Sequence, residues 1–164
     1  MKKIIFIILD KFANWELAYL SAALGEKQLG TEQYSVLYAS TDKKVKTSIG
    51  NLKALPDLSI WEIPEDISAL IFIGAEGSWH NLSKEQTANT FDEIKDSPLY
   101  TNGENFVLTA NEAVSDHKVV TAKGDSALHF AVSVLRALGD VPEENIQFFY
   151  TLHTEGFLKA IQMN

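Results

Sequence analysis

The chain contains no cysteine. That excludes disulfides, thiolate metal sites and a cysteine nucleophile together, and it fits a reducing cytoplasm. Positive charge is scarce as well: 14 lysines and arginines face 22 aspartates and glutamates, for a formal net charge of −8. Nucleic acid and anionic membrane both call for clustered cations, so neither is expected as a partner. The one basic run, Lys43-Lys44-Val45-Lys46, reads as a solvated hairpin. No apolar stretch approaches the roughly 20 residues of a membrane-spanning helix. The opening MKKIIFIILD begins as a signal peptide does, but its apolar part is only Ile4 to Leu9, Asp10 ends it, and no small-residue cleavage site follows. It reads as the first core strand. The four histidines, His80, His117, His129 and His153, have no metal-ligand spacing. Neither a G-x-S-x-G elbow nor a G-x-G-x-x-G dinucleotide loop occurs, and nothing in the sequence asks for a cofactor.

What is present suits one domain over residues 1–164, long enough to bury a stable core without disulfides or metal. Ile4–Leu9 and Ala69–Ile73 are continuous apolar runs, as in strands covered on both faces, and Tyr34–Ala39 is a further strand. The pattern predicts a helix with Asn14 as its N-cap and Gly25 just past its end. Its apolar residues wrap more than one face, so burial on several sides is expected. Lys46–Leu55, with Gly50-Asn51 in its middle, reads as a hairpin or as two short strands. Ser83-Lys84-Glu85-Gln86 is a capping box opening a helix to about Lys95. Short strands are expected at Val107–Thr109, Ala113–Val114 and Lys118–Thr121. Asp125 then caps a helix through Leu138 that Gly139 ends, Pro142 starts another, and Gly156 interrupts the last helical segment. This alternation predicts an α/β fold, with a mostly parallel sheet between helices on both faces. Ligands in such folds bind beyond the carboxyl ends of the strands.

Two features lie at such ends. Glu16 stands in the first turn of the helix after strand one. It is either a solvated carboxylate favoured by the helix dipole or a partly buried one that shares a proton with a nucleophile. The turn Gly74-Ala75-Glu76-Gly77 follows the strand LIFI. Free N–H groups of Gly74 and Ala75 there would suit an anionic oxygen, while Glu76 discourages a phosphate.

These residues carry a resemblance. MKKIIFIILDKFANWELAYLSAAL, ALIFIGAEGSW, NEAVSDHKVVTAKGDSALHFAVSVLRALG and PEENIQFFYTLHTEGF resemble successive stretches of the DJ-1/PfpI family, in its branch of bacterial intracellular protease/amidase or glutamine amidotransferase-like proteins. The resemblance runs over nearly the whole chain. It implies a flavodoxin-like three-layer sandwich, a homodimer, and a small-molecule substrate or ligand. It also implies a cysteine on a strand-to-helix elbow, a glutamate hydrogen-bonded to it, and an oxyanion site in the glycine turn. Carried onto this chain, the glutamate is Glu16 and the oxyanion turn is Gly74 and Ala75, with Ala75 where a second glycine is usual. The family histidine falls near Tyr100.

The cysteine has no counterpart, and neither do its surroundings. The helix from Ser83 runs almost directly into SPLYTNG, so a strand–helix unit of roughly 30 residues is missing between about positions 95 and 100. Either the unit has been lost from the protein, or a segment is left out of this sequence, or a diverged elbow is hidden here. In the second case the function implied is that of a cysteine-dependent protease, amidase or glyoxalase-like hydrolase. In the first it is a family member without cysteine catalysis.

Overall fold

In the computed structural model the described residues are 1–25, 29–76, 112–116 and 118–163. The expected capping-box helix, the strand at Val107–Thr109, Tyr100, His80, His117 and the site of the missing elbow all lie outside them.

The core is a sheet ordered β5-β2-β1-β6. Strand β1 (Lys2–Ile7) pairs in parallel with β2 (Tyr34–Ser40) on one side and β6 (Ile67–Phe72) on the other. Strand β5 (Leu58–Ser59) extends β2, also in parallel. The apolar run of β1 explains its central place, since Ile4 through Ile8 are all fully buried and each such side chain contributes about 1.5–3 kcal/mol. Successive side chains leave a strand on opposite faces. Ile4, Phe6 and Ile8 enter the larger core, with Leu20 and Leu24 of helix α1 (Asn14–Gly25), Leu135 of α2 (Ala127–Leu138), and Ile146 and Phe149 of α3 (Glu143–Thr154). Ile5 and Ile7 enter a second core with Ala39 and Ile60. This is the mostly parallel α/β architecture expected from the strand–helix alternation, and it agrees with the flavodoxin-like fold that the resemblance implies.

Two small antiparallel hairpins stand apart from the sheet. Strands β3 (Lys46–Thr47) and β4 (Lys53–Ala54) form the one expected around Gly50-Asn51, with Asn51 at φ +64°. Strands β7 (Ala113–Asp116) and β8 (Val119–Ala122) form the other and pack on α2.

Several local expectations need correction. Helix α1 buries one face, through Leu20, Ala23 and Leu24, while Trp15, Ala18 and Ala22 are exposed. Asn14 is helical, and its side-chain Oδ1 accepts from Gly50 N–H at 3.3 Å. Ser126, not Asp125, stands at the start of α2. Lys46 is not solvated: it is buried and ion-paired to Asp42 at 2.7 Å. Gly139 does end α2, in the left-handed region at φ +80°, where glycine carries no Cβ penalty. Beyond Gly156, at φ +91°, the chain resumes as a short helix α4 (Phe157–Ala160).

Candidate functional site

Because β1 and β6 are neighbours, with Ile7 opposite Phe72, the segments that leave their carboxyl ends meet. The β1–α1 connection is held from two sides. From the β3–β4 hairpin, Ile49 N–H donates to Phe12 O at 2.9 Å, and Lys11 N–H donates to Thr47 O at 2.7 Å. In return, Asp10 Oδ1 accepts from Thr47 N–H at 3.2 Å. On the opposite side, Ala13 N–H donates to Gly74 O at 2.7 Å and Glu76 N–H to Lys11 O at 3.0 Å, which makes an antiparallel bridge between Phe12 and Ala75. These two bonds flank the Phe12–Ala75 pair, so the N–H of Ala75 points away from Phe12.

This framework brings Glu16 onto the glycine turn. Its Oε2 accepts from Gly74 N–H at 2.7 Å, in a partly buried setting. The length is that of a charge-assisted bond. The absence of a side chain at Gly74 leaves room for this contact: a Cβ built there would lie 2.8 Å from both Glu16 carboxylate oxygens. The far side of the carboxylate is walled by Gly124, in the turn between β8 and α2, where a Cβ would lie 3.3 Å from Oε1. Trp15 fixes that turn, its Nε1–H donating to Gly124 O at 2.9 Å. A cavity of about 1220 Å³ opens beside this corner, bordered by Glu16, Gly74, Gly124 and the walls of β6, β8 and α2.

The sequence therefore brought forward two of the residues that the fold joins, Glu16 and Gly74, with Ala75 beside them. It did not bring forward Trp15 or Gly124. The signal for Gly124 was a glycine just before a helix, which is usually only a loop. The sequence reading had the Gly74 N–H free, whereas here it donates to Glu16. Among the described residues no group of three histidine, aspartate or glutamate side chains could hold a metal ion. His153 packs edge-on against Tyr19 and Phe149, and His129 against Tyr150. No helix among the described residues is long and apolar enough to cross a membrane.

Comparison with known proteins places the chain in a family. No family model matches the chain. Over an alignment of 190 positions it is 30% identical to the Uncharacterized protease YdeA of Bacillus subtilis (strain 168), covering 96% of this chain and 93% of that protein. It is 23% identical to the Uncharacterized protease YoaZ of the same organism, over 191 positions that cover 93% and 90%. Both alignments exceed the 164 residues of the chain, so each holds at least 26 positions with no residue here, the difference between 190 and 164. Among solved structures, the DJ-1 superfamily protein Atu0886 from Agrobacterium tumefaciens is 28% identical, with a TM-score of 0.71 over 93% of this chain and 100% of that one. The thiJ/pfpI family protein from Bacillus anthracis is 20% identical, with a TM-score of 0.80 over 99% and 94%. With 30% identity sustained across nearly the full length of a relative, and solved members matching the same architecture, the chain belongs to the DJ-1/ThiJ/PfpI family.

Proposed function

We propose that this chain is a family member without cysteine catalysis, which keeps the crevice beside Glu16 as a small-molecule binding module. One observation carries the reading: in a chain with no cysteine, the Glu16 carboxylate accepts from Gly74 N–H. Covalent catalysis needs an activated nucleophile. With no cysteine in the chain, the carboxylate has no thiol to share a proton with, and it holds the donor that a developing oxyanion would need. In this reading Glu16 ties α1 to the end of β6 and borders the crevice. The cytoplasm is the proposed compartment, in keeping with the absence of cysteine.

The purified 164-residue chain, its length verified by intact mass, tests this. Offered methylglyoxal and peptide amides, it is expected to turn over neither above the level of Glu16→Ala. Turnover that Glu16→Ala abolishes would overturn the reading. A second reading is favoured by the alignments that outrun the chain: the whole protein carries a strand–helix unit with a cysteine and acts as a hydrolase. Protein isolated from its natural source, heavier than 18.2 kDa by a unit of roughly 30 residues, would favour that alternative.

A further inference from the structure

We propose that the groove between α2 and α3 is a second binding site, for a short peptide with free ends. It is a cavity of about 520 Å³, within the roughly 300–1,000 Å³ of small-molecule pockets. It shares no lining residue with the crevice beside Glu16. The two helices pack together and run antiparallel. Arg136, late in α2, bonds Glu143 at the start of α3, while His129, early in α2, meets Tyr150 late in α3. His129, Ser133 and Arg136 follow one another at helical spacing along the groove, as do Gln147 and Tyr150 opposite them. A polar helix stripe is ordinarily a solvated face. Here His129, Ser133, Gln147 and Tyr150 are half-buried, and among the described residues the side chains of Ser133 and Gln147 make no hydrogen bond. Polar groups withdrawn from water are costly until a partner satisfies them.

The groove has a cation at one end and an anion at the other. Glu143 accepts from Arg136 Nε and Nη2 at 2.6 to 3.1 Å. That holds the guanidinium in place and leaves Nη1 unbonded among the described residues. Glu112 lies at the far end, where the Ser126 hydroxyl donates to it beside the start of α2. Its contact with Lys123, at 3.9 Å, is long and exposed, of a kind that contributes little. A peptide's carboxylate suits Arg136, and its ammonium suits Glu112. Between them the Ser133 hydroxyl and the Gln147 amide each donate and accept, as a peptide group requires. Ser126 and Arg136 stand ten positions apart along α2 and its cap, about 15 Å at a rise of 1.5 Å per residue. Three extended residues span about 10 Å, and a charge-assisted hydrogen bond of about 2.8 Å at each end completes the distance. Such a ligand carries no net charge, so the −8 of the chain does not repel it.

Isothermal titration calorimetry of the full chain with trialanine tests the proposal. Trialanine is expected to bind with a Kd of about 1 mM or below. N-acetyl-trialanine and trialanine amide each lack one terminal charge, and each is expected to bind at least about tenfold more weakly. Gln147→Ala is expected to weaken trialanine binding by a similar factor. Glu112→Gln, at an exposed position, is expected to do the same and to remove the penalty of N-acetylation. It keeps the proposal testable should Gln147→Ala misfold. No saturable binding by about 10 mM, blocked peptides that bind as tightly as trialanine, or wild-type affinity in both variants would each overturn it. Acetate binding as tightly as trialanine would do so too.

Discussion

Alanine at position 74 probes the corner where β6 meets α1. Its Cβ would stand 2.8 Å from both Glu16 carboxylate oxygens and 3.2 Å from Glu16 Cδ. Atoms do not settle that close, so the carboxylate, the far end of a flexible side chain, swings away and its bond to Gly74 N–H is lost. Gly74 is not among the positive-φ glycines, so its backbone accepts alanine and the cost lies in the contact. A hydrogen bond to a charged group contributes about 1.5–3 kcal/mol, and glycine to alanine returns about 0.4–1 kcal/mol through the unfolded chain. The net loss is about 1–2 kcal/mol, which in a domain of this size lowers Tm by about 2–8 °C. Urea denaturation of wild type, Gly74→Ala, Glu16→Ala and the double variant reads both the loss and its origin. In the double variant no carboxylate remains to be displaced, so the alanine costs nothing further and the two changes couple by about 1 kcal/mol or more. Strict additivity, or a Gly74→Ala protein with the wild-type midpoint, would refute the assignment of this contact.

Further outcomes follow from the same structure. Leu135→Ala, at a fully buried position between α2 and the sheet, should cost about 2–5 kcal/mol in urea denaturation. Gly139→Ala should cost about 1 kcal/mol, because position 139 is left-handed at φ +80°. Gly25→Ala, where an added Cβ meets nothing within 4 Å, should instead be neutral or stabilising by thermal melting. Asp140 gives a pH dependence with a defined sign. Burial acts to raise its pKa, but hydrogen bonds from Lys2 and Tyr34 outweigh burial and hold it below the usual carboxylate value. Its stabilisation is therefore complete above the unfolded carboxylate pKa of about 3.9 and is lost as the pH falls through the lower folded value. Asp140→Asn should narrow the gap in urea midpoint between pH 7 and pH 3, and an unchanged gap would count against this assignment.

Much of the fold was legible in the sequence because its signals are local. Ile4–Leu9 and Ala69–Ile73 both mark strands, as apolar runs so short and unbroken suggest, but only the first is buried throughout; in β6 Ala69, Leu70 and Phe72 are half-buried. Gly139 had to end a helix. Strand β5 was missed because two residues, Leu58 and Ser59, carry no period; they are a strand only because β2 lies beside them. The burial of Lys46 was missed for the same kind of reason. It stands in a lysine-rich run, which reads as solvated, and only the folded hairpin buries it beside Asp42.

The site divides along the same line. The sequence by itself determined that a carboxylate opens the first helix, that a glycine follows an apolar strand, and that no cysteine stands ready to use either. Only the tertiary structure decided that β1 and β6 lie side by side, which puts Glu16 on the N–H of Gly74 and Gly124 behind it. The reason is physical. Residue types and their spacing set what each segment prefers, but a hydrogen bond between positions 58 residues apart exists only when strand order brings the two chain ends together, and strand order is settled by the burial of the whole sheet.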